Sequence, residues 1–411
     1  MSFNALHINQ SDMLGGAAIA AYRLHCGLVQ QGIASHILAG VVRTNSPSVA
    51  AIPSPSLVEK QCSFLTRSMG LNYIHLTSTW KILRHPFYQA ADILNFHNLH
   101  TDYFNYLAIP SLSRDKPAVL TLHDMWSFTG HCAYSYDCAK WRTGCGKCLY
   151  PHEHPPIRRD ATHIEWRLKH EVYKRANLKI VAPSRWLVEQ AKQSILNRFP
   201  ISHIPYGIDT GIYKALNREQ CRDVLGIPRH AKILMFVAHN LNDSRKGSDL
   251  LLQALRHVPQ SLQSEMLLLV IGYGGEALAG SVNIPILNLG YIGSDHLKAI
   301  VYSAADLFVF PTRADNLPVV LQESMACGTP MVSFDVGGVS ELVRSGETGY
   351  LAAPFDTQDF CRGILQLLED KNLREQISCQ CRNIAINEYR LELQAKRYIE
   401  LYQTMLPNNR G

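Results

Sequence analysis

The chain has 411 residues, 46% of them hydrophobic, and a formal net charge of +6; this suits two domains with a core each and is too weak a charge to suggest nucleic acid. No run of about 18 apolar residues occurs, which argues against a membrane-spanning helix, and Met1 to Asn9 has neither the basic nor the apolar region of a signal peptide, so a cytoplasmic location is expected. Eleven cysteines, an odd number, then point to reduced, buried or metal-bound thiols before disulfides.

In chain order, Ala5 to Asn9 reads as a strand and Gly15-Gly16-Ala17-Ala18 as a turn. Ile19, Ala20, Leu24 and Leu28 then mark a helix that ends at Gly32, and Ser35 to Ala39 the next strand. Glycines between a strand and a helix let backbone approach a ligand phosphate, or simply make a tight turn. From Asn45 to Tyr88, Pro53 and Pro55 precede a mixture of Phe64, Arg67, Tyr73, Trp80, Lys81, Arg84, Phe87 and Tyr88. Such interleaving marks a membrane-surface element or, as the preferred reading, a helical connection. Two strands follow, Ile93 to Phe96 and Ala118 to Leu122. They deliver His97, Asn98, His100 and the run His123-Asp124-Met125-Trp126 to their C-terminal ends, the edge where parallel sheets bind ligands. Cys132, Cys138, Cys145 and Cys148 lie in a loop rich in Gly, Pro and aromatics, with His131, His152 and His154 close by. Four cysteines there suit a tetrahedral structural zinc that would order the loop, with unpaired thiols and disulfides as the alternatives. A helix from His163 to Arg175, a strand from Leu178 to Ala182, a helix opened by Pro183-Ser184-Arg185-Trp186 and a strand from Ile201 to Ile204 complete this half.

The second half opens on a buried strand, Ile233 to Ala238, which leads to Arg245-Lys246-Gly247. Lys246 can reach a diphosphate as a point charge and Arg245 can offer a fork; the bland alternative is a solvated basic pair. Ser248 or Asp249 is expected to cap the helix Leu250 to Leu255. Met266 to Ile271 runs into Gly272-Tyr273-Gly274-Gly275, which is weak as a dinucleotide fingerprint. Asn288 to Ile292 reads as a strand and His296 to Ala304 as a helix. A strand from Leu307 to Phe310 then stops at Pro311, and the loop carries Arg313, Asp315 and Asn316. Pro318 opens a helix through Glu323 and Met325 that ends at Gly328-Thr329-Pro330. Met331 to Phe334 is the next strand, and a Gly-Gly turn leads to a helix near Val339. Amides around Leu317 to Val320 suit a phosphate, and an acid two turns further in suits sugar hydroxyls. The rival reading is a surface loop with solvated acids. Three helices follow, Phe360 to Leu368, Leu373 to Glu388 and Leu391 to Thr404, and Pro407 to Gly411 reads as a disordered tail.

Glu323, Ala326-Cys327-Gly328-Thr329-Pro330, Asp335-Val336-Gly337-Gly338 and Glu341 resemble the C-terminal signature of the retaining glycosyltransferases of family 4, with Asp315 at the place of its first Glu. The resemblance implies an α/β protein of the GT-B fold: two Rossmann-like, doubly wound parallel-sheet domains facing a central cleft, with the last helix crossing back to the first domain. It implies an acceptor-side domain over 1–206 and a nucleotide-sugar-binding domain over 207–385, with the crossover helix and tail over 386–411. The Cys-rich insert at about 130–150 is similar to one in colanic-acid-type, exopolysaccharide-building members. Tyr206-Gly207-Ile208-Asp209 resembles the family hinge, with Tyr206 in place of an Asn. The resemblance further implies Gly15 and Gly16 near the donor phosphates, His123 near the donor sugar, Lys246 on the diphosphate, Gly272 and Gly274 at the cleft and Tyr291 against the base. The family's Arg in the Lys246 loop has Asn240 as its nearest counterpart, so either Arg245 supplies the second positive charge or leaving-group stabilisation is weaker.

On this reading the chain moves a sugar from a nucleotide diphosphate sugar to a glycan or lipid-linked acceptor, in exopolysaccharide or cell-surface glycan biosynthesis. Glu323 accepts the ribose hydroxyls, and Asp315 with the amides of Asn316 and Leu317 holds the sugar hydroxyls. Lys246, Arg245 and the amides near Val319 and Val320 stabilise the departing diphosphate, so no catalytic metal is expected. Peripheral contact with the cytoplasmic membrane face is a further expectation, and nucleic acid is not a partner. Three alternatives stand beside it. A retaining glycosidase needs two carboxyl groups about 5–5.5 Å apart. An epimerase or phosphorylase could use the same fold. A non-catalytic nucleotide-sugar-binding scaffold is kept open by the Asp315 and Asn240 departures.

Overall fold

The computed structural model describes residues 3–278 and 280–407, so most of the tail expected to be disordered lies outside the described residues. The chain divides into two compact units. One comprises the residues up to Gly207 together with those from Glu392 onward, and the other runs Ile208–Leu391.

The first unit is built on seven strands: β1 (Asn4–Ser11), β2 (Ala34–Val41), β3 (Val49–Ala51), β4 (Ile93–Phe96), β5 (Ala118–Thr121), β6 (Leu178–Ala182) and β7 (Ile201–His203). They pair in parallel in the order β3-β2-β1-β4-β5-β6-β7. The second unit has six: β8 (Lys232–Asn240), β9 (Met266–Tyr273), β10 (Ile286–Asn288), β11 (Leu307–Phe310), β12 (Met331–Phe334) and β13 (Gly349–Ala352). These are also parallel, in the order β10-β9-β8-β11-β12-β13. Every residue of β4, β5, β11 and β12 is buried. Unbroken apolar runs of this kind are what a parallel sheet covered on both faces requires. Chain order reverses between β1 and β4 in one sheet and between β8 and β11 in the other. A crevice opens outside the carboxyl ends of the strands at such a switch point, and ligands bind there.

The helix Leu391–Gln403 closes the first unit. Ala395, Tyr398 and Tyr402 join the core cluster of Phe3, Ala5, Ile93, Val119 and Val181. Buried tyrosines need hydrogen-bond partners. Asn95 Nδ2 donates to Tyr402 Oη at 2.8 Å, and the Thr121 and Tyr398 hydroxyls lie 3.0 Å apart.

Several local expectations shift. The strand read over Asn288 to Ile292 lies earlier, as β10, because Asn288 Oδ1 accepts from Gly290 N–H in an Asx turn that ends it. The residue before helix Ser248–Arg256 is left-handed Gly247, and no side chain caps it; Ser248 Oγ donates instead to the Leu241 carbonyl at 2.6 Å. The helix expected near Val339 is a single 3₁₀ turn, Val339–Glu341. β3 has no counterpart in the sequence reading, since three residues at a sheet edge carry no legible period.

The segment from 45 to 88 holds β3, a helix Leu57–Ser68, a 3₁₀ stretch Thr77–Arg84 and a short helix Pro86–Ala90. Ser56 and Glu59 form a reciprocal capping box on the first of these helices. The buried Glu59 carboxylate accepts from Ser56 N–H (2.6 Å), Thr77 Oγ1 (3.1 Å) and Ser78 N–H. Burial alone would raise its pKa, but these donors hold it down at about 2. The stabilisation is therefore complete above the ordinary value near 4.5 and is lost as pH falls through about 2. Glu59→Gln is expected to cost about 2–3 kcal/mol at pH 7 and to flatten the acid limb of a melting curve; equal melting of both proteins at pH 7 and pH 3 would refute this. The outer face of the helix it anchors exposes Leu57, Val58, Phe64 and Leu65 beside Lys60 and Arg67. Among the described residues no helix is long and apolar enough to cross a membrane.

Candidate active site

The second unit gathers charge where its sheet order reverses. The loop after β8 brings Arg245 and Lys246, and the loop after β11 brings Asp315. Lys246 Nζ lies 2.6 Å from Asp315 Oδ2, and Arg245 Nη1 lies 3.1 Å from the same oxygen. Arg245 Nη1 also donates to the Ala314 carbonyl at 2.9 Å. The three side chains are largely but not wholly shielded, at 17%, 22% and 13% exposure for Lys246, Arg245 and Asp315. Burial would push the Asp315 carboxyl up, but Lys246 and then Arg245 outweigh it and hold it below the usual aspartate value. Burial and the Arg245 charge depress the Lys246 ammonium, against the pull of Asp315. Arg245 Nη2 also stands 3.5 Å from Asp243 Oδ2, so the two cations at the switch point face two carboxylates. Asn240, by contrast, is exposed, and its side chain accepts from the Asn242 N–H.

Asn316 and Leu317 follow Asp315 and are buried at 2% exposure. They lead into the helix Val319–Ala326, whose N-cap is Pro318 with no side-chain cap. Val319 and Val320 therefore open a helix whose first amides are offered no side-chain acceptor at the cap. Glu323 lies further along, at 2% exposure. The Tyr302 hydroxyl donates to its Oε2 at 3.2 Å, and Lys298 Nζ stands 3.7 Å from Oε1 while also pairing with Asp295 at 2.7 Å.

Two glycines explain how the backbone packs here. A Cβ on Gly337, at φ +57°, would stand 2.0 Å from the Asp315 carbonyl oxygen, which accepts from Gly338 N–H at 3.1 Å. The Gly-Gly turn thus props the Asp315 loop. Gly337→Ala is expected to cost about 1–3 kcal/mol and to weaken ligand binding at Asp315; an unchanged melting temperature would show that the loop does not lean on the turn. The fold itself requires Gly272, since its Cβ would lie 1.9 Å from the Ala238 carbonyl oxygen of β8. Gly274 sits against the Asn242 side chain. Tyr291 is 43% exposed and stacks on Tyr273, with ring centroids 5.0 Å apart and planes within 4°, and His239 meets both rings edge-on.

The remaining sequence-picked residues lie in the first unit. Gly15 precedes the helix Gly16–Gln30 at φ +89°, and no side chain caps this helix either. His123 follows β5 and is 7% exposed. Both of its ring nitrogens are occupied, Nε2 by His97 Nδ1 at 2.9 Å and Nδ1 by Tyr206 Oη at 2.6 Å. These bonds fix the ring at the end of β5, where the resemblance puts it near the donor sugar. Burial lowers its pKa to about 4, so it is neutral.

Zinc on Cys132, Cys138, Cys145 and Cys148 finds no preformed site: among the described residues no group of three or more His, Cys, Asp or Glu side chains is arranged to hold a metal ion. Cys145 Sγ accepts from Gly130 N–H at 3.2 Å, and Cys148 Sγ lies 3.1 Å from His131 Nε2. Burial pushes the Cys132 thiol up to about 12 and Cys145 to about 11. A buried lysine fixes the backbone that leads into this loop. Lys169 Nζ donates to the Trp126 carbonyl at 2.6 Å and the Thr129 carbonyl at 3.0 Å, and lies 3.6 Å over the Trp126 ring.

The sequence reading missed Tyr302 and Lys298 as partners of Glu323, and it placed His97 at the sheet edge without its bond to His123. Lys298 sits in the first turn of the helix Asp295–Ala304, and no local pattern marks a residue that meets its partner across a helix pair.

Comparison with known proteins shows the family. Residues 14–211 match the family model described as Glycosyltransferase Family 4, and residues 217–383 match that described as Glycosyl transferases group 1. The chain is 26% identical over 359 residues to WcaC of Escherichia coli (strain K12), named as a colanic acid biosynthesis glycosyl transferase, covering 83% of this chain and 85% of that one. Among solved structures it is similar to sucrose-phosphate synthase of Thermosynechococcus elongatus, with a TM-score of 0.71, 18% identity and 98% of each chain covered. It is also similar to HepE of Anabaena in complex with UDP-glucose, with a TM-score of 0.69, 16% identity, and 98% of this chain and 100% of that chain covered. The two family models between them span nearly the whole chain, and it belongs to the family 4 glycosyltransferases of the GT-B fold.

Proposed function

We propose that this protein is a retaining glycosyltransferase that moves a sugar from a nucleotide diphosphate sugar to a glycan or lipid-linked acceptor in exopolysaccharide or cell-surface glycan biosynthesis. The observation that carries the reading is the convergence of Lys246 and Arg245 on Asp315 at the reversal of the second sheet, next to a helix start with no side-chain cap. A diphosphate is the ligand this charge and dipole suit. Lys246, Arg245 and the amides of Val319 and Val320 would take up the negative charge that develops on the leaving diphosphate. Asp315, with the amides of Asn316 and Leu317, would hold the sugar hydroxyls, and Glu323 the ribose hydroxyls. The stacked Tyr273 and Tyr291 support a base subsite at the ends of β9 and β10. The same cationic and dipolar groups do what a divalent ion would otherwise do, so catalysis is expected to proceed in chelator. The departing phosphate accepts the acceptor proton, and the sugar is received on the face it left.

The UDP-glucose bound by HepE and the role named for WcaC support a nucleotide-sugar donor and a polysaccharide or lipid-linked acceptor. The apolar, base-flanked face of the helix Leu57–Ser68 supports peripheral contact with an anionic membrane surface.

Proton NMR of the product formed from an α-linked donor tests the reaction class. An α-anomeric product is expected, formed equally with and without EDTA. A β-anomer, or transfer that stops on chelation, would overturn the corresponding part of the reading.

A further inference from the structure

The loop after β11 also carries Arg313, whose guanidinium reaches the turn of Arg245 and Lys246. That turn is a single 3₁₀ stretch, Ser244–Lys246, closed by Gly247 at φ +73°. Arg313 holds two consecutive carbonyls of it. Its main-chain N–H donates to the Arg245 carbonyl at 2.8 Å, and its Nη1 donates to the Ser244 carbonyl at 2.6 Å. The same guanidinium forks onto Asp249, with Nη1 2.8 Å from Oδ1 and Nη2 2.6 Å from Oδ2. Asp249 stands in the first turn of the helix Ser248–Arg256 that follows. One planar side chain thus joins the turn, the helix after it and the loop of Asp315. A rigid fork of donors can do this, and a single ammonium cannot. Gly247 lets the turn pack closely on the same loop, since its Cβ would stand 1.9 Å from the Pro311 carbonyl oxygen.

The turn therefore has two anchors on the β11 loop. One is made by the functional side chains themselves, with Lys246 at 2.6 Å and Arg245 at 3.1 Å from Asp315 Oδ2. A diphosphate that draws on Lys246 and Arg245 competes with Asp315 for their donors, so this anchor weakens as the ligand arrives. The other anchor, through Arg313, uses backbone carbonyls and Asp249, and none of its groups is assigned to the donor. In ligand-free protein both anchors hold the turn. With donor bound, the Asp315 anchor is shared with the ligand and the Arg313 anchor stays whole.

We propose that Arg313 is a positioning residue that keeps Arg245 and Lys246 in place while they exchange Asp315 for the leaving diphosphate. The exchange rests on the transferase reading above; the double anchoring of the turn does not. Asp249 is 55% exposed, so removal of the arginine leaves its carboxylate in water and strands no buried charge. Ligand-free protein keeps the Asp315 anchor. The loss is felt in the donor complex, where a displaced ammonium meets the developing charge less well.

Amide hydrogen exchange over 244–247 in ligand-free protein tests the anchoring. The N–H groups of Arg245, Lys246 and Gly247 bond within the turn, to Asp243 and Ser244, so their exchange reports its opening. Arg313→Ala and Asp315→Ala are each expected to speed this exchange less than about twofold, and the double variant about tenfold or more. A double variant no faster than the product of the singles would overturn the proposal. Transfer by Arg313→Ala and Arg313→Lys tests the role. Each is expected to lower kcat about tenfold, with a ligand-free melting temperature within about two degrees of wild type. Donor KM should stay within about threefold, because Glu323 and the amides after Asp315 still hold the donor. Lysine restores the charge but not the fork, so full rescue by Arg313→Lys would assign the effect to charge and overturn the positioning role. So would wild-type kcat in Arg313→Ala, or a loss that follows the melting temperature. A wild type that transfers no sugar, with the double variant still exchanging faster than the product of the singles, would overturn the transferase reading and leave the anchoring standing.

Discussion

Lys246→Ala is expected to lower kcat about a hundred- to a thousandfold while the melting temperature moves by only a few degrees. The reason lies in how the charge is shared. Asp315 is bound by Lys246 at 2.6 Å and by Arg245 at 3.1 Å. Removing the lysine leaves the carboxylate paired with Arg245, so no anion is stranded and the fold has little reason to suffer. What disappears is one of the two positive charges of the cluster. A largely shielded ammonium acts on a leaving phosphate with little competition from water, so its loss is felt most in the transition state. Release of nucleoside diphosphate under saturating donor measures this directly. A kcat within threefold of wild type in a well-folded variant would remove Lys246 from the chemistry.

The second large effect is on affinity. Glu323→Gln is expected to weaken donor binding about ten- to a hundredfold, the worth of one or two hydrogen bonds to a charged acceptor. Glutamine keeps the shape of the side chain, and it can still accept from the Tyr302 hydroxyl. Lys298 keeps Asp295 at 2.7 Å as its closer partner, so the substitution does not leave it unpaired. The variant should therefore fold as wild type and lose affinity alone. Equal dissociation constants for the two proteins in a calorimetric titration would mean that no ribose hydroxyl reaches Glu323.

Much of this was legible in the sequence because the second sheet is written in unbroken apolar runs. β11 and β12 begin and end where Leu307 to Phe310 and Met331 to Phe334 place them, and Pro318 starts its helix within one residue. The pairing of Arg245 and Lys246 with Asp315 follows from strand order: loops 69 and 70 residues apart in the chain meet where the sheet reverses. The line of hydrogen bonds from His7 through His97 to His123 could not be read in the same way. Its links span 90 and 26 residues, and a histidine inside a strand looks like any other polar interruption until the register is known. The cysteine loop was read from composition alone, since four thiols within 17 residues suggest a metal, and Lys169, 21 positions further on, gives no local sign that it binds the carbonyls of Trp126 and Thr129 at the loop's entry. Helix Leu57–Ser68 lay between prolines and aromatics whose mixture concealed a plain capping box.

The measurement that tests the central claim most directly is a thermal-shift panel of uridine and guanosine diphosphate sugars, run on wild type, Lys246→Ala and Glu323→Gln. A donor at about 100 times its dissociation constant stabilises the folded state by roughly 2.7 kcal/mol. The account predicts that one base series shifts the wild type and that the shift shrinks in both variants. No shift with either series, or an equal shift in all three proteins, would contradict it.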